Sequence, residues 1–361
     1  MRHNVPEHSY DLHGGDEIMI RLHPLRGGAS APKRRVQALS IFVLTLLVTG
    51  GSCLLFQPSA PVTAAYQPMA QPDVTQPSTA YALPSSITAS LPANAATATV
   101  TYGKDKLLSG RLMLIDRTHP LPDHAAPPNT FNLLAATHGT VTCRDTQAVL
   151  GADAISALET LFSAARREHI ALLTVMRASV SPQQQRTLRV ERFCELANTL
   201  PLEAAFAQAL HEIAPEGTSE HQTAWAVDIR LCDGWDQLPR SEPLSASSEG
   251  RWLLENCWRF GFIRRWQEDA PDNDPSCAAY HFRYVGRAHA ALMHALQLSL
   301  PDYLQLLHRY GTLTLWQNGK PVASVVCAAV SRDLTCTVPV NAALEDVSLD
   351  NLGWGVASYL W

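Results

Sequence analysis

The segment SEHQTAWAVD, residues 219–228, places a histidine and an aspartate seven residues apart in a stretch that otherwise alternates like a buried strand. The apolar side chains from Trp225 onward share one face of that strand, so Asp228 points from the other face. A buried carboxylate is stable only if it is paired, hydrated or bound to a metal. Because His221 is an odd number of residues away, the two side chains converge only if the chain bends near Ala224. A neutral imidazole and a carboxylate oxygen together suit Zn²⁺.

A catalytic zinc site needs a third protein ligand and keeps a fourth position for water. His281 opens a second strand-like run, HFRYV, in which it shares a face with Arg283. A single histidine is more often an ordinary polar or core residue than a ligand, and the chain has 14 of them. The predicted ligand set His221, Asp228 and His281 therefore depends on further matches in the surrounding sequence.

The segment SEHQTAWAVD resembles the SxHxxGxAxD signature of zinc D-alanyl-D-alanine carboxypeptidases of the vancomycin-resistance type. These enzymes are relatives of lysostaphin-like endopeptidases and of the hedgehog zinc domain. The run AAYHFRYVG resembles their second block, in which glutamate, proline, tryptophan and histidine precede FRYVG. The stretches GRLMLIDRTHPLP, WLLENCWRFGFIRRW and DYLQLL agree as well. The resemblance covers about residues 107–308.

This resemblance implies an α+β fold with a small, mainly antiparallel sheet, packed helices and a zinc site. It implies Zn²⁺ as the cofactor, held by His221, Asp228 and His281. The implied substrate is the D-Ala-D-Ala end of a peptidoglycan stem peptide, attacked by zinc-bound water. Ser219, the serine of the first signature, is then expected to contact the substrate.

The sequence departs from the family at two positions that carry chemistry. The family's general base is a glutamate three residues before the second histidine, and here that residue is Ala278. The family's upstream SxYRSxxxQ segment corresponds to MRASVSPQQ, where Ser179 stands at the arginine position if the segment is anchored on Gln184. General-base assistance contributes about 10²–10⁴ in rate, and one oxyanion-stabilising group about 10²–10³. Either substitutes exist, or the domain holds zinc and binds peptidoglycan or a partner protein without cleaving.

Substitutes for both missing groups are present in the sequence. Candidate bases lie in the run QEDAPDND, which is otherwise typical of a solvated loop, and comprise Glu268, Asp269, Asp272 and Asp274. Arg177 lies two residues before Ser179, whereas Arg230 and Arg283 share strand faces with Asp228 and His281. These three arginines are candidate substrate-binding cations, and surface or ion-pair roles are the alternative.

Hydrophobic periodicity predicts the elements that position these residues within a domain over 101–310. An amphipathic helix is predicted over DAISALETLFSAARREHI, with Asp153 capping its start. Further helices are predicted over PQQQRTLRVERFCELANTL, GRWLLENCWRFG and AHAALMHALQL, and strands over GRLMLID, ALLTVM, FIRRW and HFRYV. This mixture predicts helices packed on a small sheet.

The last fifty or so residues, 311–361, are predicted to form a small β appendage. Residues 318–319 are Asn-Gly between alternating apolar runs, which is a strong hairpin signal. Cys327 and Cys336 lie nine residues apart around a polar SRDLT segment. That spacing suits a second hairpin, so a disulfide is predicted between them.

An uncharged run over residues 36–56 follows Lys33, Arg34 and Arg35. In a helix this run spans about 30 Å, the thickness of a bilayer's hydrocarbon core. We therefore expect a single-pass membrane helix, with residues 1–35 as a cytoplasmic arm and the remainder outside the cell membrane. A cleaved signal peptide and lipid attachment at Cys53 are the alternatives.

The composition fits an extracytoplasmic protein that does not bind nucleic acid. The net charge is −5 and only 17% of residues are charged, without a basic excess. Seven of the eight cysteines follow the predicted membrane helix, where disulfides can persist. Residues 57–100 are rich in proline, alanine, serine and threonine, which predicts a disordered stalk.

Overall fold

The computed structural model describes residues 82–123, 125, 129–234, 237–266 and 279–361. Helices and antiparallel sheets make up this part of the chain, which confirms the predicted α+β class. None of the helices described there is both long and apolar enough to cross a membrane. The arm 1–35, the predicted membrane helix 36–56 and Cys53 lie outside the described residues.

The strands and helices follow one another along the whole described region. The strands are β1 (Ile87–Thr88), β2 (Thr97–Tyr102), β3 (Thr130–Asn132), β4 (Val149–Gly151), β5 (Leu173–Arg177), β6 (Ala226–Leu231), β7 (Phe262–Arg264), β8 (His281–Tyr284), β9 (Thr312–Gln317), β10 (Lys320–Ala329), β11 (Leu334–Pro339), β12 (Ala343–Leu349) and β13 (Trp354–Leu360). The α-helices are α1 (Lys104–Leu108), α2 (Leu133–Ala136), α3 (Ala152–Arg167), α4 (Pro182–Leu196), α5 (Leu202–Glu212), α6 (Ser248–Asn256), α7 (Arg287–Leu296) and α8 (Leu300–Tyr310). Short 3₁₀ helices cover Glu220–Thr223, Leu244–Ala246 and Cys257–Phe260.

The first sheet has the strand order β5-β6-β8-β7 and is antiparallel throughout. One face of β6 packs against α3 through Val227 and Ile229, both fully buried beside Leu158. Asp228 lies between those two residues and points from the opposite face, as the alternation predicts. This sheet therefore separates an apolar core from a polar site.

The second sheet has the order β1-β9-β10-β13-β12 and contains most of the last fifty residues. The predicted hairpin is confirmed, because Asn318 and Gly319 join β9 to β10 with φ angles of 50° and 73°. Helices α7 and α8 cover this sheet in a shared core that includes Leu292 and Tyr303. The segment predicted as an appendage thus packs against the helices that follow β8.

A smaller sheet pairs β2 with β11, residues more than two hundred positions apart in sequence. The predicted stalk was expected to extend to residue 100. Strands β1 and β2 both lie wholly or partly inside that range, so its last part is structured. Alternation in TATVTY, residues 97–102, is the strand signal that the Pro/Ala-rich composition masked.

The predicted disulfide between Cys327 and Cys336 is wrong, because both thiols are free. Their strands do not form a hairpin, since β10 pairs with β9 and β13 while β11 pairs with β2. Cys327 faces the core shared with α7 and α8, whereas Cys336 faces a separate cluster with Leu334 and Val338. Burial raises the pKa of the Cys336 thiol to about 11.

The strand predicted over GRLMLID is also wrong, although its burial was anticipated. Leu112 and Leu114 are buried, but residues 110–116 join no sheet. Their backbone amides bond instead to β12 and to the loop after it. The Leu112 amide donates to Ser348 Oγ, and the Leu114 amide donates to the Asp350 carbonyl. One side-chain oxygen and one main-chain oxygen here replace the acceptors that a neighbouring strand would supply.

The four predicted helices are confirmed as α3, α4, α6 and α7, with one error at a helix start. Gly151, not Asp153, caps α3, and Asp153 in its first turn pairs with Arg111. Helix α5 was missed. Its run of leucine, glutamate, alanine and glutamine after Pro201 is a helix signal that could have been read.

Candidate metal centre

Three side chains converge at the polar face of the first sheet. His221 comes from the 3₁₀ helix, Asp228 from β6 and His281 from the start of β8. Their candidate ligand atoms all lie within 4.8 Å of one another, and all three residues are buried. Among the described residues, these three form the group of histidines, cysteines and acids placed to hold a metal.

The sheet register brings two of these ligands together. Asp228 and His281 are direct cross-strand partners on β6 and β8, so their side chains lie on the same face. His281 Nδ1 lies 2.9 Å from Asp228 Oδ1. His221 Nε2 lies 3.3 Å from the same oxygen.

His221 reaches the site through a bend at Ala224, as the sequence predicts. Ala224 has a φ of 58° and a ψ of 22°, in the left-handed region, and it is fully buried. The family signature has glycine at this position. An L-residue other than glycine pays about 1–2 kcal/mol in this conformation.

Replacing Ala224 with glycine is expected to raise the free energy of unfolding by about 0.5–1 kcal/mol, because relief of the left-handed strain exceeds the added chain entropy. Chemical denaturation of the purified chain measures it. Ala226→Gly, two residues later in β6, is the matched control and should lower stability. Equal decreases in the free energy of unfolding of the two variants would contradict the inference that Ala224 is strained.

Both histidines are held through the ring nitrogen that points away from the site. His221 Nδ1 donates to the carbonyl oxygen of Ala178 at 2.6 Å. His281 Nε2 donates to Glu220 Oε2 at 3.1 Å. With a metal in place of the proton at the other ring nitrogen, these bonds would leave His221 Nε2 and His281 Nδ1 as the ligand atoms, the arrangement usual for zinc-ligating histidines.

The donor set fits zinc in chemistry and in spacing. Atoms about 2.0–2.1 Å from one tetrahedral zinc lie roughly 3.3 Å from each other. The two histidine nitrogens lie 2.9 and 3.3 Å from Asp228 Oδ1, close to that spacing. Two imidazoles and a carboxylate also match the ligands of catalytic zinc sites that keep a position open.

The electrostatics of the site favour a bound cation. Burial alone would raise the pKa of the Asp228 carboxyl, but His221 and His281 outweigh it and hold that pKa well below its usual range. Burial alone would lower the pKa of His281, but hydrogen bonds to Asp228 and Glu220 outweigh it and raise that pKa. The buried carboxylates therefore stabilise positive charge at the position where a metal would bind.

Arg177 lies beside the site, although the motif comparison placed Ser179 at the family's arginine position. It is the cross-strand partner of Asp228 on β5, next to an irregularity in the strand register after Val175. Arg177, Asp228 and His281 therefore form a row across three adjacent strands. Ser179, the position aligned with the family's arginine, instead donates its amide to the Val149 carbonyl.

The other predicted substrate-binding residues have different surroundings. Ser219 is half-buried directly before the 3₁₀ helix. Arg230 stacks on Tyr280, 4.8 Å from the ring centroid, and donates to the Arg240 carbonyl. Arg283 is fully buried and faces Glu220, so the prediction that it contacts substrate is corrected to an internal ion pair.

Five positions singled out in the sequence lie outside the described residues. They are Ala278 and the candidate bases Glu268, Asp269, Asp272 and Asp274. Trp266 and Tyr280 border that segment, and the Trp266 ring lies 4.9 Å from the His281 ring.

Glu220 is the residue at the site that sequence reasoning missed. Its side chain is only 1% exposed and contacts His281, Arg265 and Arg283. A charged residue immediately before a candidate ligand, inside a buried segment, was a signal that could have found it.

Comparison with known proteins agrees with this geometry. The family model of VanY, D-alanyl-D-alanine carboxypeptidase, matches residues 147–287. A D-alanyl-D-alanine carboxypeptidase of Enterococcus faecalis (strain ATCC 700802 / V583) is 34% identical over 153 residues, which are 41% of this chain and 52% of that protein. One from Enterococcus faecium is 30% identical over 132 residues, or 36% of this chain and 41% of that protein. The chain thus spans about half or less of these relatives' length.

A solved structure shows the fold. The vancomycin-resistance D,D-dipeptidase VanXYg, in complex with a D-Ala-D-Ala phosphinate analogue, has a TM-score of 0.60 at 18% identity, covering 74% of this chain and all of that one. A variant of the D,D-pentapeptidase VanY in complex with Zn(II) is 30% identical, with a TM-score of 0.43, and covers 54% of this chain and 98% of that one. Residues 147–287, which contain all three converging ligands, thus match the VanY family of D-alanyl-D-alanine carboxypeptidases.

Proposed function

We propose that this chain is a zinc-dependent D,D-carboxypeptidase that removes the terminal D-alanine from peptidoglycan stem peptides. The observation that carries the proposal is the convergence of His221, Asp228 and His281 within a VanY-family domain. The enterococcal relatives are named D-alanyl-D-alanine carboxypeptidases, which supports the substrate class.

Each residue of the site has a distinct role in this proposal. His221, Asp228 and His281 hold the metal. Zinc, when bound, polarises a carbonyl oxygen and lowers the pKa of water. Arg177, beside Asp228 in the same row, supplies a positive charge that binds the substrate carbonyl oxygen and stabilises the negative charge that develops on it. Ser219 lies at the edge of the site, where it contacts the peptide.

The proposed location is the outer surface of a cell membrane. The uncharged run 36–56 behind Lys33, Arg34 and Arg35 supports a single N-terminal membrane helix with the domain outside. Peptidoglycan stem peptides lie on that side, so anchor and substrate agree.

A second candidate function is a zinc-holding module that binds peptidoglycan or a partner protein without cleaving. One observation favours it: the family's general-base position is Ala278. Loss of a general base without a substitute slows the chemical step by about 10²–10⁴. Under this alternative, the ligand set and the binding surface persist while turnover is lost.

The deciding experiment measures D-alanine release from a stem pentapeptide and zinc content on the same preparation of the purified full-length chain. Release that a chelator abolishes, and that added zinc restores, supports the enzyme. Stoichiometric zinc without release supports the binding module. A preparation that takes up no zinc contradicts both.

Arg177→Gln is expected to weaken binding of a peptide ending in D-Ala-D-Ala by about 10- to 100-fold, because a charge-assisted hydrogen bond is lost. Titration of the peptide into the zinc-loaded chain measures this under either candidate function. Arg230→Gln is the matched control, since Arg230 is already engaged by Tyr280 and Arg240. If wild type and Arg177→Gln bind the peptide with equal affinity, Arg177 does not contact it.

A further inference from the structure

The metal ligand His281 stands at one end of a buried ionic network. Glu220 accepts from His281 Nε2 through one carboxylate oxygen and from Arg265 Nε, 3.0 Å away, through the other. Arg283 Nη1 lies 3.6 Å from that second oxygen. The side chains of Glu220 and Arg283 are 1% and 0% exposed, so this carboxylate is shielded from water and its contacts are strong.

The network continues from the first sheet into the second. Arg283 Nη2 donates to the main-chain carbonyl of Arg111 at 3.0 Å. The Arg111 amide in turn donates to Asp346 Oδ2 on β12 at 3.0 Å, and the Arg111 guanidinium lies over the Tyr284 ring. Contacts thus run without a break from His281 to the sheet formed by the last fifty residues.

We infer that Glu220 is a positioning residue for His281, and that the second sheet fixes Glu220 through Arg283, Arg111 and Asp346. This inference rests on the proposed function, because it concerns the zinc ligand. It makes residues 311–361 part of the metal site rather than a separate appendage.

The physical reason lies in the orientation of the His281 ring. Only one rotation of the ring directs Nδ1 toward Asp228 while Nε2 meets a hydrogen-bond acceptor, and Glu220 is that acceptor. A carboxylate at this position also raises the electron density of the imidazole and strengthens its bond to a metal. The two arginines hold the carboxylate in place, since its charge is fully buried between them.

The first test compares zinc affinity of the full-length wild type with that of Glu220→Gln by competition with a chromophoric chelator. Affinity is expected to fall about 10- to 100-fold. Glu216→Gln is the matched control, because Glu216 also pairs with two arginines, Arg186 and Arg189, but contacts no ligand. Its zinc affinity should equal that of the wild type.

Two further measurements separate positioning from a loss of folding. The visible absorption of the Co²⁺-substituted chain should change in Glu220→Gln, since it reports the ligand geometry, and should stay unchanged in Glu216→Gln. Asp346→Asn, on β12 and remote from the metal, should weaken zinc binding by about 2- to 30-fold through the network.

These outcomes decide whether Glu220 positions His281. Equal zinc affinity and an unchanged Co²⁺ spectrum in Glu220→Gln overturn the inference. If that variant does not fold, an unchanged affinity in Asp346→Asn overturns it. A wild-type chain that binds no zinc overturns the proposed function itself, whereas a wild type that binds zinc alongside unaffected variants overturns only the inference.

Discussion

His221→Ala is expected to lower zinc affinity by more than about 100-fold, because removal of a ligand should exceed the cost of removing its outer-shell partner. His221 supplies one of three protein ligands, and the remaining pair, Asp228 and His281, cannot complete a catalytic zinc site. Metal analysis of the purified chain after dialysis against a weak chelator measures the effect. Any zinc-dependent D-alanine release should disappear with the metal.

The control for this variant is His211→Ala. His211 is exposed on α5 and does not belong to the converging group. It should leave the zinc content unchanged. Equal zinc in wild type and His221→Ala would refute the assignment of the ligands.

Ala278→Glu is expected to raise the rate of D-alanine release by about 10²–10⁴, because it restores a carboxylate at the family's general-base position. The position lies three residues before His281, in a segment outside the described residues. The test compares the rate of D-alanine release from a stem pentapeptide by wild type and Ala278→Glu at equal zinc content. The gain should appear in kcat, since the base acts on the chemical step.

Ala279→Glu, which puts the same charge one residue later, is the matched control and should give no gain. An unchanged rate in Ala278→Glu beside an active wild type would mean that another group already serves as base. Glu268 and Asp274 would then be substituted in turn.

Two of the three ligands, His221 and Asp228, were predictable from sequence because they lie close together in it. Alternation along β6 fixes which side of the strand Asp228 takes, and the odd spacing to His221 requires the bend found at Ala224. The pairing of His281 with Asp228 follows from the family resemblance rather than from periodicity. The motif comparison put Ser179 at the family's arginine position, whereas on the strands Arg177 pairs with Asp228, next to an irregularity in the β5–β6 register.

The long-range contacts could not be read in the same way. Nothing in residues 97–102 indicates that they pair with β11, and a nine-residue spacing between Cys327 and Cys336 does not reveal that they face different cores. Leu112 and Leu114 have a strand's alternation without a strand partner. In each case the outcome depends on which distant segment supplies the hydrogen bonds.

The strand order β1-β9-β10-β13-β12 has a consequence for biosynthesis. β13, the strand nearest the C-terminus, lies between β10 and β12, so a nascent chain has two exposed strand edges until residues 354–360 leave the ribosome. Removal of residues 354–360 would therefore take away an interior strand and leave the edges of β10 and β12 exposed to aggregation.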